Sequence, residues 1–230
     1  MMSHGLLILL SFVAGWVDAS SFVGLNHIMT AHVTGNLVVL AANVAEGFRP
    51  DDMLKIVVLP VFFGAVMVLT MVHDRLWGNH DNVPRQVSLM LRLEAVLIAG
   101  TGLLGVWASL AGWTLDFWAS LLIVTPVICG MAVQNAAHRL YPAIGPATTV
   151  MTGNITQFFI DQARRLAGRS STSLIDDMPK QGGLLPLLIL TFGVGCVSGA
   201  LATTAVGIGS FLVPAVLIGA ASVLPKLASQ

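Results

Sequence analysis

Charge is missing from long unbroken stretches of this chain, and that limits the folds open to it. Residues 1–45 carry one charged side chain, Asp18. Residues 56–73, 95–115, 117–138, 140–160 and 181–225 carry none. A helix crossing a bilayer needs about 20 apolar residues, so the last stretch is long enough for two crossings. Its Gly207/Gly209 pair is the expected turn. A soluble domain carries roughly 25% charged residues; here 11 basic and 11 acidic residues make up 10% of the chain. Those numbers exclude an ordinary water-soluble enzyme and a disordered chain, and point to an all-α polytopic membrane protein.

The formal charge of zero leaves no basic field for nucleic acid. Cys129 and Cys196 sit in apolar runs and form neither a disulfide framework nor a metal-ligand cluster. No phosphate-binding loop is present. No cofactor or metal is expected. Residues 5–15 lack the basic start of a secretion signal and read as part of a first spanning helix.

Six long apolar helices are expected, over about 5–24, 55–74, 92–111, 115–136, 184–204 and 207–225. Two shorter, more polar segments stand apart, about 30–46 and 148–163. Each contains the tripeptide Thr-Gly-Asn: Thr34, Gly35 and Asn36 in the first, Thr152, Gly153 and Asn154 in the second. In the second, residues 148–160 carry four threonines, one asparagine and one glutamine, a set costly against lipid. That segment is therefore either buried among helices or a half-helix that enters and leaves by the same face, and the first shares its tripeptide.

The basic residues discriminate between these. If all eight segments cross, Arg49, Lys55, Arg164, Arg165, Arg169, Lys180 and Lys226 share one side, against Arg75, Arg85, Arg92 and Arg139. If the short segments re-enter, only Arg49 and Lys55 lie opposite all the others. The positive-inside rule favours the second arrangement, with both termini cytoplasmic. The alternative is an eight-helix bundle with weak charge bias.

The chain also reads as duplicated, with one repeat over about 5–111 and a second over about 115–225 in a single transmembrane domain. Gly15 precedes the first Thr-Gly-Asn as Gly130 precedes the second, and Thr30 and Thr148 each lie four residues before the shared threonine. Phe63-Gly64 and Phe192-Gly193 follow in corresponding helices. Three crossings per repeat make the halves inverted, an architecture that recurs in secondary transporters. Four make them parallel.

Four blocks carry a resemblance over nearly the whole chain: Phe12-Val-Ala-Gly15-Trp-Val-Asp18-Ala-Ser-Ser-Phe22, Met29-Thr-Ala-His-Val-Thr34-Gly35-Asn36-Leu, Gly130-Met-Ala-Val-Gln134-Asn135-Ala-Ala and Thr148-Thr-Val-Met-Thr152-Gly153-Asn154. Together they resemble the bacterial family called domain of unknown function 1275, whose members carry YoaK-type labels as small-molecule membrane transporters. The resemblance implies a bacterial inner-membrane protein with a transporter-like role and names no substrate. His32 departs from the pattern, where a small or amide residue is expected.

The candidate site residues are Asp18, Thr34, Gly35, Asn36, Gln134, Asn135, Thr152, Gly153 and Asn154. Asp18 is a carboxylate inside the first helix and needs a partner or a proton; it is either a proton carrier or an interfacial residue near the helix end. If each Thr-Gly-Asn opens a helix, free N–H groups and the positive dipole end would face a shared central volume suited to an anionic or polar solute. The plainer reading makes these residues hydrogen-bonding glue between helices. Aligning the two glycines sets Ala19-Ser20 opposite Gln134-Asn135. Glu94, Asp161, His138 and Arg139 read as structural. Gly195 and Gly199, extended by Gly193, and Gly100, Gly102 and Gly105 suit close packing, within the chain or in a homodimer. The expected function is a secondary transporter of a small polar or anionic solute, coupled to protons through Asp18. The alternatives are an uncoupled channel, a membrane scaffold and, last, an intramembrane enzyme built on Ser20 or Ser21. Besides lipid and solute, no partner is required.

Overall fold

The computed structural model describes residues 3–77, 82–167 and 183–223. Arg169, Lys180 and Lys226, which enter the charge count, lie outside the described residues, as do parts of the loops expected at 75–91 and 164–182 and the last two residues of the helix expected to reach 225. Among the described residues the regular structure is helical: α1 (His4–Gly24), α2 (Gly35–Glu46), α3 (Asp52–Trp77), α4 (Val83–Leu110), α5 (Phe117–Leu140), α6 (Met151–Leu166), α7 (Leu184–Val206) and α8 (Leu212–Val223). Five stretches are long and apolar enough to cross a membrane: α1, α3, α4, α5 and the 40 residues of Leu184–Val223.

Local chemistry sets the ends. Ser3 caps α1 by accepting from the Leu6 N–H, and Asp116 caps α5 by accepting from the Ala119 N–H. α4 starts well before the expected residue 92. Asn82, in the left-handed region at φ 66°, accepts from the Arg85 N–H and starts the helix just ahead of Pro84. Asparagine tolerates that conformation, and proline suits a helix's first turn. The arginines at 85 and 92 hide this turn from a search for uncharged stretches. Gly207, at φ +65°, ends α7, and a 3-10 turn over Gly207–Phe211 leads into α8. The expected glycine turn is therefore present.

α1 lies at the centre and α3 at the rim. Leu6, Leu7, Leu10, Val13, Ala14 and Val17 of α1 are buried, whereas Phe63, Met67, Val68 and Met71 of α3 are exposed. α1 runs parallel to α7: Ser11 Oγ donates to Leu188 O at 2.6 Å and Ser20 Oγ to Gly199 O at 3.1 Å. Glycines allow the approach. A Cβ at Gly15 would collide with the Phe192 carbonyl, one at Gly195 with the Phe12 carbonyl, and one at Gly199 with the Trp16 carbonyl. Gly193 meets nothing and lies off this seam.

α4 runs antiparallel to α8. Ser88 Oγ donates to Ser222 O at 2.7 Å, Gly102 lies on Leu212 and Gly105 on Ile208. It also runs antiparallel to α5, with Thr101 Oγ1 donating to Ile123 O at 2.9 Å and Gly130 lying against Glu94 and Ile98. α5 crosses α1 in the opposite sense: Gln134 Nε2 donates to Leu10 O at 3.0 Å, and Asn26 Nδ2 to Ser120 Oγ at 3.3 Å. α3 packs on α5, α2 on α3, α6 on α7, and α8 also touches α1. The small-residue patterns on α4 and α7 thus serve contacts within one chain.

Candidate functional site

Two breaks in the helical path hold the expected site residues. The first follows α1. Asp18 stands six residues before Gly24, the end of α1, and is buried. Its Oδ1 accepts from Thr30 N at 2.7 Å and Ala31 N at 2.8 Å, and its Oδ2 pairs with His32 Nδ1 at 2.7 Å. The His32 ring packs edge-on against Phe192 of α7, with centroids 5.5 Å apart. At 1.5 Å per residue, Asp18 holds the chain at 30–32 about 9 Å inside the end of α1. The segment dips into the bundle before α2 begins.

Asn36 fixes the same break from the other side. It is fully buried, its Oδ1 accepts from Met29 N at 2.8 Å, and its Nδ2 donates to Met29 O at 2.7 Å. The first N–H groups of α2 are not free: Gly35, Asn36 and Leu37 donate to the carbonyls of His32, Val33 and Thr34. Thr34 is exposed and Gly35 half-buried.

The second break follows α5. Gln134 stands six residues before Leu140, the end of α5, as Asp18 does in α1. Its Nε2 donates to Thr148 Oγ1 at 2.8 Å as well as to Leu10 O. His138 Nε2 meets the same threonine oxygen at 3.0 Å, and Thr149 Oγ1 donates to Asn135 Oδ1 at 2.7 Å. Asn154 Nδ2 donates to Ala147 O at 2.9 Å, which is seven residues back, as Met29 is from Asn36. Thr152 and Gly153 are exposed.

The two clusters do not touch through any described hydrogen bond. Gln134 meets α1 at Leu10 and Asp18 lies eight residues further along, about 12 Å at helical rise. That interval carries Ser11, Gly15 and Trp16, and Trp16 Nε1 is buried with no hydrogen-bond partner. Ser20 Oγ donates to Gly199 O and Ser21 Oγ to Val17 O, so both hydroxyls are committed to backbone.

Sequence reasoning missed the His32 partner of Asp18 and a second polar chain at the ends of α3, α4 and α5. There His73 Nε2 meets Tyr141 OH at 2.6 Å, and Tyr141 OH donates to Gln86 Oε1 at 2.5 Å. The lone tyrosine, next to the end of α5, and a histidine within the uncharged run of α3 were the available signal. A groove of about 600 Å³ opens where α1, α4 and α7 end, lined by Gly24, Ser109, Trp113, Thr203 and Thr204 among others.

The chain is similar to the "UPF0700 transmembrane protein YoaK" of Bacillus subtilis (strain 168), at 28% identity over 201 residues, 86% of this chain and 82% of that protein. No solved structure matches it. With its spanning helices, this likeness supports a multi-pass membrane protein whose surroundings are a lipid bilayer. The pattern of the family described as "Protein of unknown function (DUF1275)" matches residues 6–224, and the chain belongs to that family.

Proposed function

We propose that the chain is a secondary transporter of a small polar or anionic solute, built from two inverted repeats of three crossings each. One observation carries this reading: the helix pairing is unchanged when the halves are exchanged. Exchange turns α1 on α7 into α5 on α3, α2 on α3 into α6 on α7, and α1 on α8 into α5 on α4, and all of these pairs occur. α1 against α5 and α4 against α8 map onto themselves.

The directions of the helices support six crossings. Eight alternating crossings require α4 parallel to α8 and α1 parallel to α5; both pairs run antiparallel. In the six-crossing arrangement α2 and α6 re-enter from opposite faces. Arg75, Arg85, Arg92, Arg139, Arg164 and Arg165 then lie on one side, opposite Arg49 and Lys55. By the positive-inside rule the first side is the cytoplasm, as expected of an inner-membrane protein with cytoplasmic termini. Inverted repeats whose broken segments approach one another are a transporter architecture.

In this reading the buried Asp18, Asn36, Gln134 and Asn154 and the half-buried Asn135 hold the two breaks in place. The exposed Thr34, Thr152 and Gly153 and the half-buried Gly35 meet solute as it passes. A scaffold reading draws on the same hydrogen bonds, because the buried amides act on nearby backbone. The test is flux. Purified protein in liposomes is screened with small radiolabelled anions and neutral polar solutes, with Thr34→Val and Thr152→Val alongside. Saturable uptake that both variants alter is the expected result. Uptake equal to that of protein-free liposomes across the screen favours the scaffold.

A further inference from the structure

Three buried polar atoms without hydrogen-bond partners converge on one cavity, beside the second helix break. They are Glu94 Oε1, Gln134 Oε1 and His138 Nδ1. The residues are 1%, 2% and 6% exposed. They line a closed space of about 10 Å³ between α1, α4 and α5, with Leu10, Val87, Met90 and Val133 forming apolar wall. A space of this size holds about one water molecule.

The position is deep. Glu94 is level with Gly130, near the middle of α5. Helical side chains lean toward the N-terminus of their helix, which carries the Glu94 carboxyl toward Gln134 and His138. Among the described residues no lysine or arginine lines the cavity. Arg92, two residues away, and Arg139 are both exposed. The described parts of α1 and α8 bring no basic residue here except His4 at the exposed start of α1, and Asp18 is occupied at the far break. His73 of α3 is engaged with Asp74 and Tyr141. His138 is thus the one titratable base among the residues lining the cavity, and its Nδ1 has no hydrogen-bond partner.

We propose that Glu94, Gln134 and His138 form a proton-binding site near the middle of the bundle, in which one proton is shared between the Glu94 carboxyl and the His138 imidazole, directly or through a single water. A bare carboxylate in a closed apolar wall is strongly disfavoured. With the proton on Glu94, the acid donates an O–H and Gln134 Oε1 is a free acceptor on the same wall. With the proton on His138, the imidazolium faces the carboxylate. Gln134 Nε2 and His138 Nε2 both meet Thr148 Oγ1, so the base and the amide are held by the second break. Loss of the proton from the closed cavity leaves an uncompensated charge, so release requires the cavity to open to water. The site does not depend on what solute the chain carries.

The test uses the full-length protein in liposomes and needs no solute. Infrared difference spectra at neutral pH are expected to show a protonated-carboxyl band in wild type that is absent in Glu94→Gln and shifted in Gln134→Leu. An apolar carbodiimide, which reacts with protonated carboxyls in apolar surroundings, is expected to modify Glu94, mapped by peptide mass spectrometry in the unmutated protein. That second arm stands if Glu94→Gln fails to fold. An unchanged carboxyl band in a folded Glu94→Gln overturns the proposal. So does modification of Glu94 that sodium ions block at fixed pH, because the site would then hold a metal cation.

Discussion

A single carboxylate fixes the geometry of the first break. Asp18 satisfies two backbone N–H groups and one imidazole inside a helical bundle, where an unsatisfied donor costs more than a lost contact at a surface. Asp18→Asn keeps the shape but loses the charge and sets an amide group against its donors. It is expected to cost about 1–3 kcal/mol of stability, read as a lower midpoint of thermal unfolding in detergent. A cycle combining it with His32→Gln is expected to show coupling of about 0.5–3 kcal/mol, because the two residues are in direct contact. Thr34→Val, at an exposed position, is expected to change stability by no more than about 0.5 kcal/mol. That Asp18 needed a partner was legible from its depth in an uncharged helix. That the partner is His32 was not, because the irregular chain after Gly24 decides where that ring arrives. Glu94 and His138 read separately as structural residues and Gln134 as a site residue for the same reason: the crossing of α1, α4 and α5 brings them together, and no spacing within one helix records it.

At the scale of elements, the α1–α7 seam is a contact of backbones. Gly15→Ala and Gly195→Ala each place a Cβ against a carbonyl of the facing helix, and overpacking of this kind costs about 1–3 kcal/mol. Gly193→Ala, two residues away in open space, is expected to be neutral or to stabilise by up to about 1 kcal/mol, since alanine is the better helix former. Comparing the melting of the three variants in one detergent checks the seam. The spacing of Gly195 and Gly199 announced a close contact, but a glycine pattern does not say which helix it faces, so Gly193 was grouped with them. The helices themselves were legible because lipid demands long uncharged runs. Where polar side chains cap a helix, as Asn82 does for α4, the run begins earlier than charge alone indicates. In the proposed repeat the halves are aligned by their helix ends, which set Asp18 opposite Gln134. The glycines place them one residue out of register, because Gly15 faces α7 whereas Gly130 faces α4, which belongs to a different contact.

For the whole molecule, the proposed inverted arrangement makes a prediction about sidedness. With Cys129 and Cys196 replaced by alanine, single cysteines at the exposed Phe48 and Leu166 are expected to react with an impermeant thiol reagent from opposite faces of the membrane. Reaction of both from one face would restore the eight-crossing bundle. The glycine seam also has a consequence for synthesis. α1 is made long before its backbone partner, α7. The ribosome adds about 5–20 residues per second, so roughly ten to forty seconds separate the emergence of the two. Throughout that interval α1 sits in the bilayer with its glycine face and Ser11 and Ser20 without their α7 acceptors. A nascent chain stalled before residue 188 cannot complete the centre of the bundle, and quality control could recognise it by that unfilled face.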